Sequence, residues 1–119
     1  MTVGGLADVD DRELLARAQA GDDVAFGELL RRHQGAALRV AAVIAGSTDE
    51  AADIVQDAIV RAHGRLGTFR GDGSVRSWLL RVVANGAKNH VRGRHRRLRL
   101  EDRHFRLDAR SGESVELAA

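Results

Sequence analysis

The chain has 119 residues, 44% of them apolar, a formal charge of +2, no Cys and no Pro. That length allows one small domain with a modest core, and the lack of Cys excludes both a disulfide framework and a thiolate metal site. With no apolar run near ~18 residues and no signal peptide at its start, the chain is expected to be cytoplasmic.

The small net charge hides a polarity along the sequence. Residues 1–57 hold eleven acids against five Arg, whereas cations concentrate after Arg61. Such asymmetry points to two partners of different character.

In chain order, residues 1–10 (MTVGGLADVD) read as a disordered N-terminus. A short helix follows, capped by Asp10 or Asp11, with Leu14, Leu15 and Ala18 as its apolar stripe and Gly21 as its stop. Asp22 or Asp23 then caps a long helix whose apolar positions Phe26, Leu29, Leu30, Ala37, Val40, Ala41 and Ile44 keep helical period. His33 lies on the same face, where a core histidine satisfied by a hydrogen bond outweighs a ligand role. Gly46 ends this helix, and Ser47 with Glu50 opens the next as a capping box.

The third of these helices is two-faced. Ala51, Ile54, Val55, Ala58, Ile59, Ala62 and Leu66 point one way; Asp49, Glu50, Asp53, Gln56, Asp57 and Val60 point the other. Acids suit a helix N-terminus, which accounts for Asp49 and Glu50 but not for Asp57. This face is either solvated or receives a basic partner helix.

Gly67–Gly73 reads as a loop and Ser74 as the cap of a basic helix. Between Asp72 and Glu101 no acid occurs, while Arg76, Arg81, Lys88, Arg92, Arg94, Arg96, Arg97 and Arg99 do. At about 100° per residue, Ser77, Arg81, Asn85, Lys88 and Arg92 share one narrow stripe. Val75, Leu79, Val82, Val83 and Gly86 lie opposite, and Leu80, Ala84, Ala87 and Val91 fill a third side. A mostly buried helix exposing one cationic stripe with an amide is built to meet an anion, nucleic acid first. Gly71-Asp72-Gly73 is not a phosphate loop, because no strand precedes it and no Lys-Ser/Thr pair follows. After Leu100 the period is lost. The expected fold is all-α, a compact bundle of one short and three longer helices over residues 11–99, with 100–119 as a linker or disordered tail.

Several segments, in this order and at these distances, resemble the second domain of bacterial extracytoplasmic-function sigma factors. They are Asp22 with Ala25-Phe26, the D-I-V-Q-D block at 53–57, F-R-G at 69–71, Ser77-Trp78-Leu79, and A-N-x-A-K-N at 84–89. The resemblance implies that Asp53, Gln56 and Asp57, with the neighbouring Val60, dock on the β′ clamp helices of core RNA polymerase. It implies that the loop Arg70, Gly71, Asp72, Gly73, Ser74 together with Asn85 captures a flipped base of the non-template strand at the promoter minus-ten element. Arg76, Arg81, Lys88 and Arg92 would hold phosphates, and Arg94–Arg99, Arg96 and Arg97 among them, would lie near the upstream duplex. An anti-sigma factor is a further partner that the sequence does not specify; the chain alone is expected to be monomeric and to need no cofactor.

The physics of the residues agrees with that implication. Reading a single strand takes a cationic track and a donor–acceptor group for a base edge, and Asn offers both a carbonyl and an NH₂. Trp78 is expected as a core anchor, and Phe69 as either a loop anchor or a pocket wall. Two places depart from the family pattern. Leu80 and His90 stand where Tyr is frequent, and nothing after Leu100 forms the helix-turn-helix domain that reads the minus-thirty-five element. The chain therefore reads as an excised domain or a shortened protein. The competing class is a sigma-like helical module that binds a protein without reading DNA. An enzyme is not expected, because no nucleophile–base pair can be nominated.

Overall fold

A computed structural model describes the backbone of residues 2–70 and 73–118 and the side chains of residues 5–70 and 73–104. The described backbone is helical throughout its regular elements: α1 (Thr2–Ala7), α2 (Asp11–Gln19), α3 (Asp23–Ala45), α4 (Thr48–Gly64), a 3₁₀ turn (Leu66–Thr68) and α5 (Val75–Ala118). The all-α expectation holds. α3, α4 and α5 pack on one another, and α2 lies across α3.

The helix boundaries follow local chemistry. Asp10 Oδ1 accepts from the Glu13 N–H at 2.8 Å, and Asp22 Oδ1 accepts from Val24 and Ala25 at 3.0 and 3.1 Å. Each carboxylate satisfies N–H groups that a helix start leaves without partners. Gly21 (φ 102°) closes α2: its N–H donates to Ala18 O, and Asp22 N–H reaches back to Arg17 O. That left-handed turn suits Gly, which has no Cβ to clash. Gly46 (φ 71°) closes α3 in the same conformation.

The core contains much of the set the periodicity predicts, while Leu30, Val40, Ile44, Ile59, Leu80 and Val91 are only partly buried against it. Leu14 and Val83 are completely buried, and Phe26, Leu29, Ile54, Val55 and Leu79 join them. Burying each large aliphatic side chain contributes about 1.5–3 kcal/mol. The helix interfaces are lined with small residues: Ala37, Ala41 and Ala45 on α3, Ala58 and Ala62 on α4, Ala87 on α5. These let the helix axes approach closely. A Cβ placed on Gly86 of α5 would lie 3.6 Å from the Ala58 Cβ of α4.

His33 is a buried histidine whose Nε2 pairs with Asp11 Oδ2 at 2.6 Å, tying α3 to the start of α2. Beside it, Arg32 donates to Asp11 Oδ1 and Glu28 Oε2, and to the Leu6 and Ala7 carbonyls. Those last two bonds satisfy the carbonyls at the end of α1, and Leu6 and Val9 pack on the core. The N-terminal segment read as disordered therefore contains a six-residue helix, Thr2–Ala7, secured from another helix.

The second departure is at the other end. The loss of period after Leu100 suggests a linker, yet α5 runs without a break to Ala118. No Pro occurs in 100–118, so the backbone hydrogen bonds of α5 can continue past the bundle. Residues 95–100 are all exposed, so α5 leaves the bundle just past Arg94.

Candidate nucleic-acid interface

The start of α5 is fixed by Ser74, whose Oγ accepts from the Ser77 N–H at 3.0 Å and lies 2.9 Å from Ser77 Oγ. Gly73 just before it has φ 78°, a left-handed turn that a side chain would strain. From there the predicted stripe emerges intact. Ser77, Arg81, Asn85, Lys88 and Arg92 are all exposed, while Val75, Leu79, Val82, Val83 and Gly86 are all buried. Arg76 is exposed beside the stripe, and Arg96 and Arg97 are exposed on the projecting part of α5.

The cations divide into two groups. Arg31 and Arg32 are paired with Glu28, and Arg94 with Glu50. Among the described residues, no ion pair forms at Arg61, Arg70, Arg76, Arg81, Lys88, Arg92, Arg96 or Arg97. Unpaired guanidinium and ammonium groups in one track offer charge to an external polyanion.

Arg94, unlike Arg96 and Arg97, is engaged within the bundle: its Nη1 donates to Glu50 Oε2 at 2.6 Å and its Nη2 to the Ala45 carbonyl at 3.3 Å. His90 Nε2 meets the other Glu50 oxygen at 2.8 Å. The capping box is therefore half formed: Ser47 Oγ accepts from Glu50 N–H at 3.3 Å, while the Glu50 carboxylate turns to α5. This cluster fastens α5 to the α3–α4 corner at the point where α5 leaves the bundle.

The two buttressing carboxylates titrate low. The side-chain hydrogen bond from His90, then the charge of Arg94, holds Glu50 below the ordinary 4.5. Hydrogen bonds from Arg31 and Arg32 bring Glu28 down to about 2. A depressed carboxylate contributes stability that is complete above its unfolded pKa and disappears as pH falls through its folded value. Thermal melts should thus lose stability between pH 4.5 and about 2. Glu28→Gln should flatten that loss, and an unchanged acid limb in this variant would show that the Glu28 pairs are inert.

The loop preceding α5 is held from α2. Gln19 Nε2 donates to the Leu66 carbonyl at 2.8 Å and the Phe69 carbonyl at 3.2 Å. Phe69 and Trp78 meet edge to face, with centroids 5.6 Å apart and planes at 65°. Phe69 therefore anchors the loop against Trp78 and also lines the adjoining depressions; both rings are half-buried. An open depression of about 590 Å³ lies beside it, lined among the described residues by Asp10, Asp11, Arg12, Phe69, Gly73, Ser74 and Val75. Arg70 lines a neighbouring depression with Arg12 and Gln19. Gly71 and Asp72, two of the expected capture residues, lie outside the described residues. The contribution of α2 through Arg12 and Gln19 has no local signal in the sequence, since Gln19 and Leu66 are 47 residues apart.

On α4, Asp53, Gln56 and Asp57 are exposed on one face, and Val60 beside them is 66% exposed. Neither Asp is in an ion pair among the described residues. The acidic face and the cationic stripe thus occupy separate surfaces of two packed helices. Among the described residues no three His, Cys, Asp or Glu come together as a metal site, and no helix is long and apolar enough to cross a membrane.

Together these features make a helical module with an exposed cationic stripe on one surface and an exposed acidic face on another. The family model for sigma-70 region 2 matches residues 29–97, and the chain belongs to that family. It is 42% identical over 89 residues to the ECF RNA polymerase sigma factor SigM of Mycobacterium tuberculosis, covering 75% of this chain and 45% of that protein. It is 38% identical over 92 residues to the RNA polymerase sigma-H factor of Pseudomonas aeruginosa, covering 77% and 48%. With the ECF RNA polymerase sigma-E factor of Escherichia coli it shares 35% over 108 residues, 89% of this chain and 53% of the other. The chain thus spans about half the length of these relatives. Among solved structures it resembles an engineered region 2 of sigmaE, determined by NMR in complex with GTAAAA. The TM-score is 0.71 and the identity 32%, over 76% of this chain and 94% of that one.

Proposed function

We propose that this chain serves in transcription initiation as the module that docks on core RNA polymerase and takes the promoter minus-ten element as non-template single strand. The carrying observation is the unpaired stripe of Arg81, Asn85, Lys88 and Arg92 on α5, in a fold similar to a sigmaE region 2 bound to GTAAAA. Arg76, Arg81, Lys88 and Arg92 hold phosphates, and Asn85 addresses a base edge. The depression beside Phe69, lined also by Gly73 and Ser74, receives a flipped base, with Arg70 beside it. Arg96 and Arg97 on the projecting part of α5 lie toward upstream DNA. Asp53, Gln56, Asp57 and Val60 seat α4 on the β′ clamp helices.

An exposed Asn in mid-helix is a weak helix former, which its role as reader explains. Asn85→Ala should reduce discrimination between GTAAAA and single-base variants by about 1–3 kcal/mol, the worth of one good base contact. The fold should survive, because Asn85 touches solvent rather than core. Competition with single-base variants of the oligonucleotide measures this, and unchanged preference would remove Asn85 from the reading set.

A further inference from the structure

One cation close to the stripe belongs to another helix. Arg61 stands on α4, three residues past Ala58, where the small-residue contact draws α4 and α5 together. Its Nη1 lies 3.8 Å from the point where a side chain at Gly86 would begin. The guanidinium therefore rests over Gly86 of α5, beside Asn89, and enters no ion pair among the described residues. Any side chain longer than Ala at position 86 would take this place.

A small cleft of about 130 Å³ opens here between the two helices, lined by Ile54, Asp57, Arg61, Gly86, Asn89 and His90. Two of its polar groups are oriented from outside it. His90 is committed to Glu50 at 2.8 Å, and Arg92 Nη1 donates to Asn89 Oδ1 at 3.4 Å. With its carbonyl engaged, Asn89 has its NH₂ left to donate. The cleft thus offers a guanidinium and an amide N–H from opposite walls. Asp57 is the one acid among its lining residues, and its charge opposes that of Arg61 there.

We infer that Arg61 and Asn89 form a seat for one backbone phosphate of the bound strand, so that the strand crosses from α5 onto α4 instead of following α5 alone. This inference rests on the single-strand reading above. It assigns a nucleic-acid contact to the helix that also carries the acidic face, and the two regions adjoin at Asp57 and Arg61, which line the same cleft.

The test is the salt dependence of binding to a labelled single-stranded GTAAAA oligonucleotide by the full chain and by Arg61→Ala, Arg61→Lys and Arg39→Ala. Each lost phosphate contact on a single strand should flatten the slope of log affinity against log salt by about 0.7. Arg61→Ala should show that change with several-fold weaker binding at low salt. Arg61→Lys should restore most of the slope. Arg39→Ala, which removes an equal charge from an exposed position on α3, should leave it unaltered. Wild-type slope in Arg61→Ala, or an equal change in Arg39→Ala, would overturn the seat while leaving strand binding intact. Failure of the wild-type chain to bind the oligonucleotide would instead count against the reading on which it rests.

Discussion

Replacing Asp53 and Asp57 together by Arg should abolish capture of core RNA polymerase, or of a fragment holding its β′ clamp helices, by this chain. Both carboxylates are exposed and form no ion pair among the described residues, so the fold does not depend on them. The buried face of α4 is made by Ile54, Val55, Ala58 and Ala62, which the substitutions leave in place. Helicity should therefore persist, apart from a small loss at Asp53 near the favourable N-terminus of the helix. Placing like charges opposite one another across an interface costs several kcal/mol, enough to remove binding at micromolar protein. Val60→Ala should cost far less, since it removes apolar contact but no charge. Pull-down with circular dichroism on the same preparations checks the claim. Wild-type capture by the charge-reversed protein would show that the acidic face is merely solvated.

The parts of this molecule legible in the sequence are those encoded within a few turns of helix. Period alone places Leu14, Phe26, Ile54 and Val83 in the core, and each is buried. Asp22, Gly46, Ser47 and Ser74 marked helix ends because capping is a contact between near neighbours. The exposed stripe from Ser77 to Arg92 was legible for the same reason.

What escaped depends on contacts between helices. Glu50 has the spacing of a reciprocal cap, but its carboxylate is drawn to His90 and Arg94, 40 and 44 residues away. A carboxylate facing both an imidazole and a guanidinium gains more than one facing a single backbone N–H, and no local pattern reports that choice. The partners of Arg94 are hidden from the sequence for the same reason. Likewise, Arg32 closing α1, Gln19 holding the loop and Arg61 lying over Gly86 follow from the packing of α2, α3, α4 and α5, not from spacing. The continuation of α5 past Leu100 has no apolar stripe to announce it.

The second large effect concerns the form of DNA the chain prefers. Four to six phosphate contacts along α5 predict a single-strand salt slope of about −3 to −4. A duplex of the same sequence presents phosphates too, but a base can enter the depression beside Phe69 only after leaving its stack. That extrusion costs a few kcal/mol, and the half-buried Phe69 and Trp78 are occupied with each other, not free to stack on several bases. Without other contacts to offset the opening, the duplex should bind at least about tenfold more weakly, as for a penalty of 1.4 kcal/mol or more.

The central claim is therefore tested most directly by titrating the full chain into a labelled GTAAAA-containing oligonucleotide, as single strand and as duplex, at two salt concentrations. Base capture predicts tighter binding to the single strand at both salts, with the steep slope retained. Equal affinity for the two forms would contradict it, and would leave the cationic stripe as a general polyanion surface on a helical interaction module.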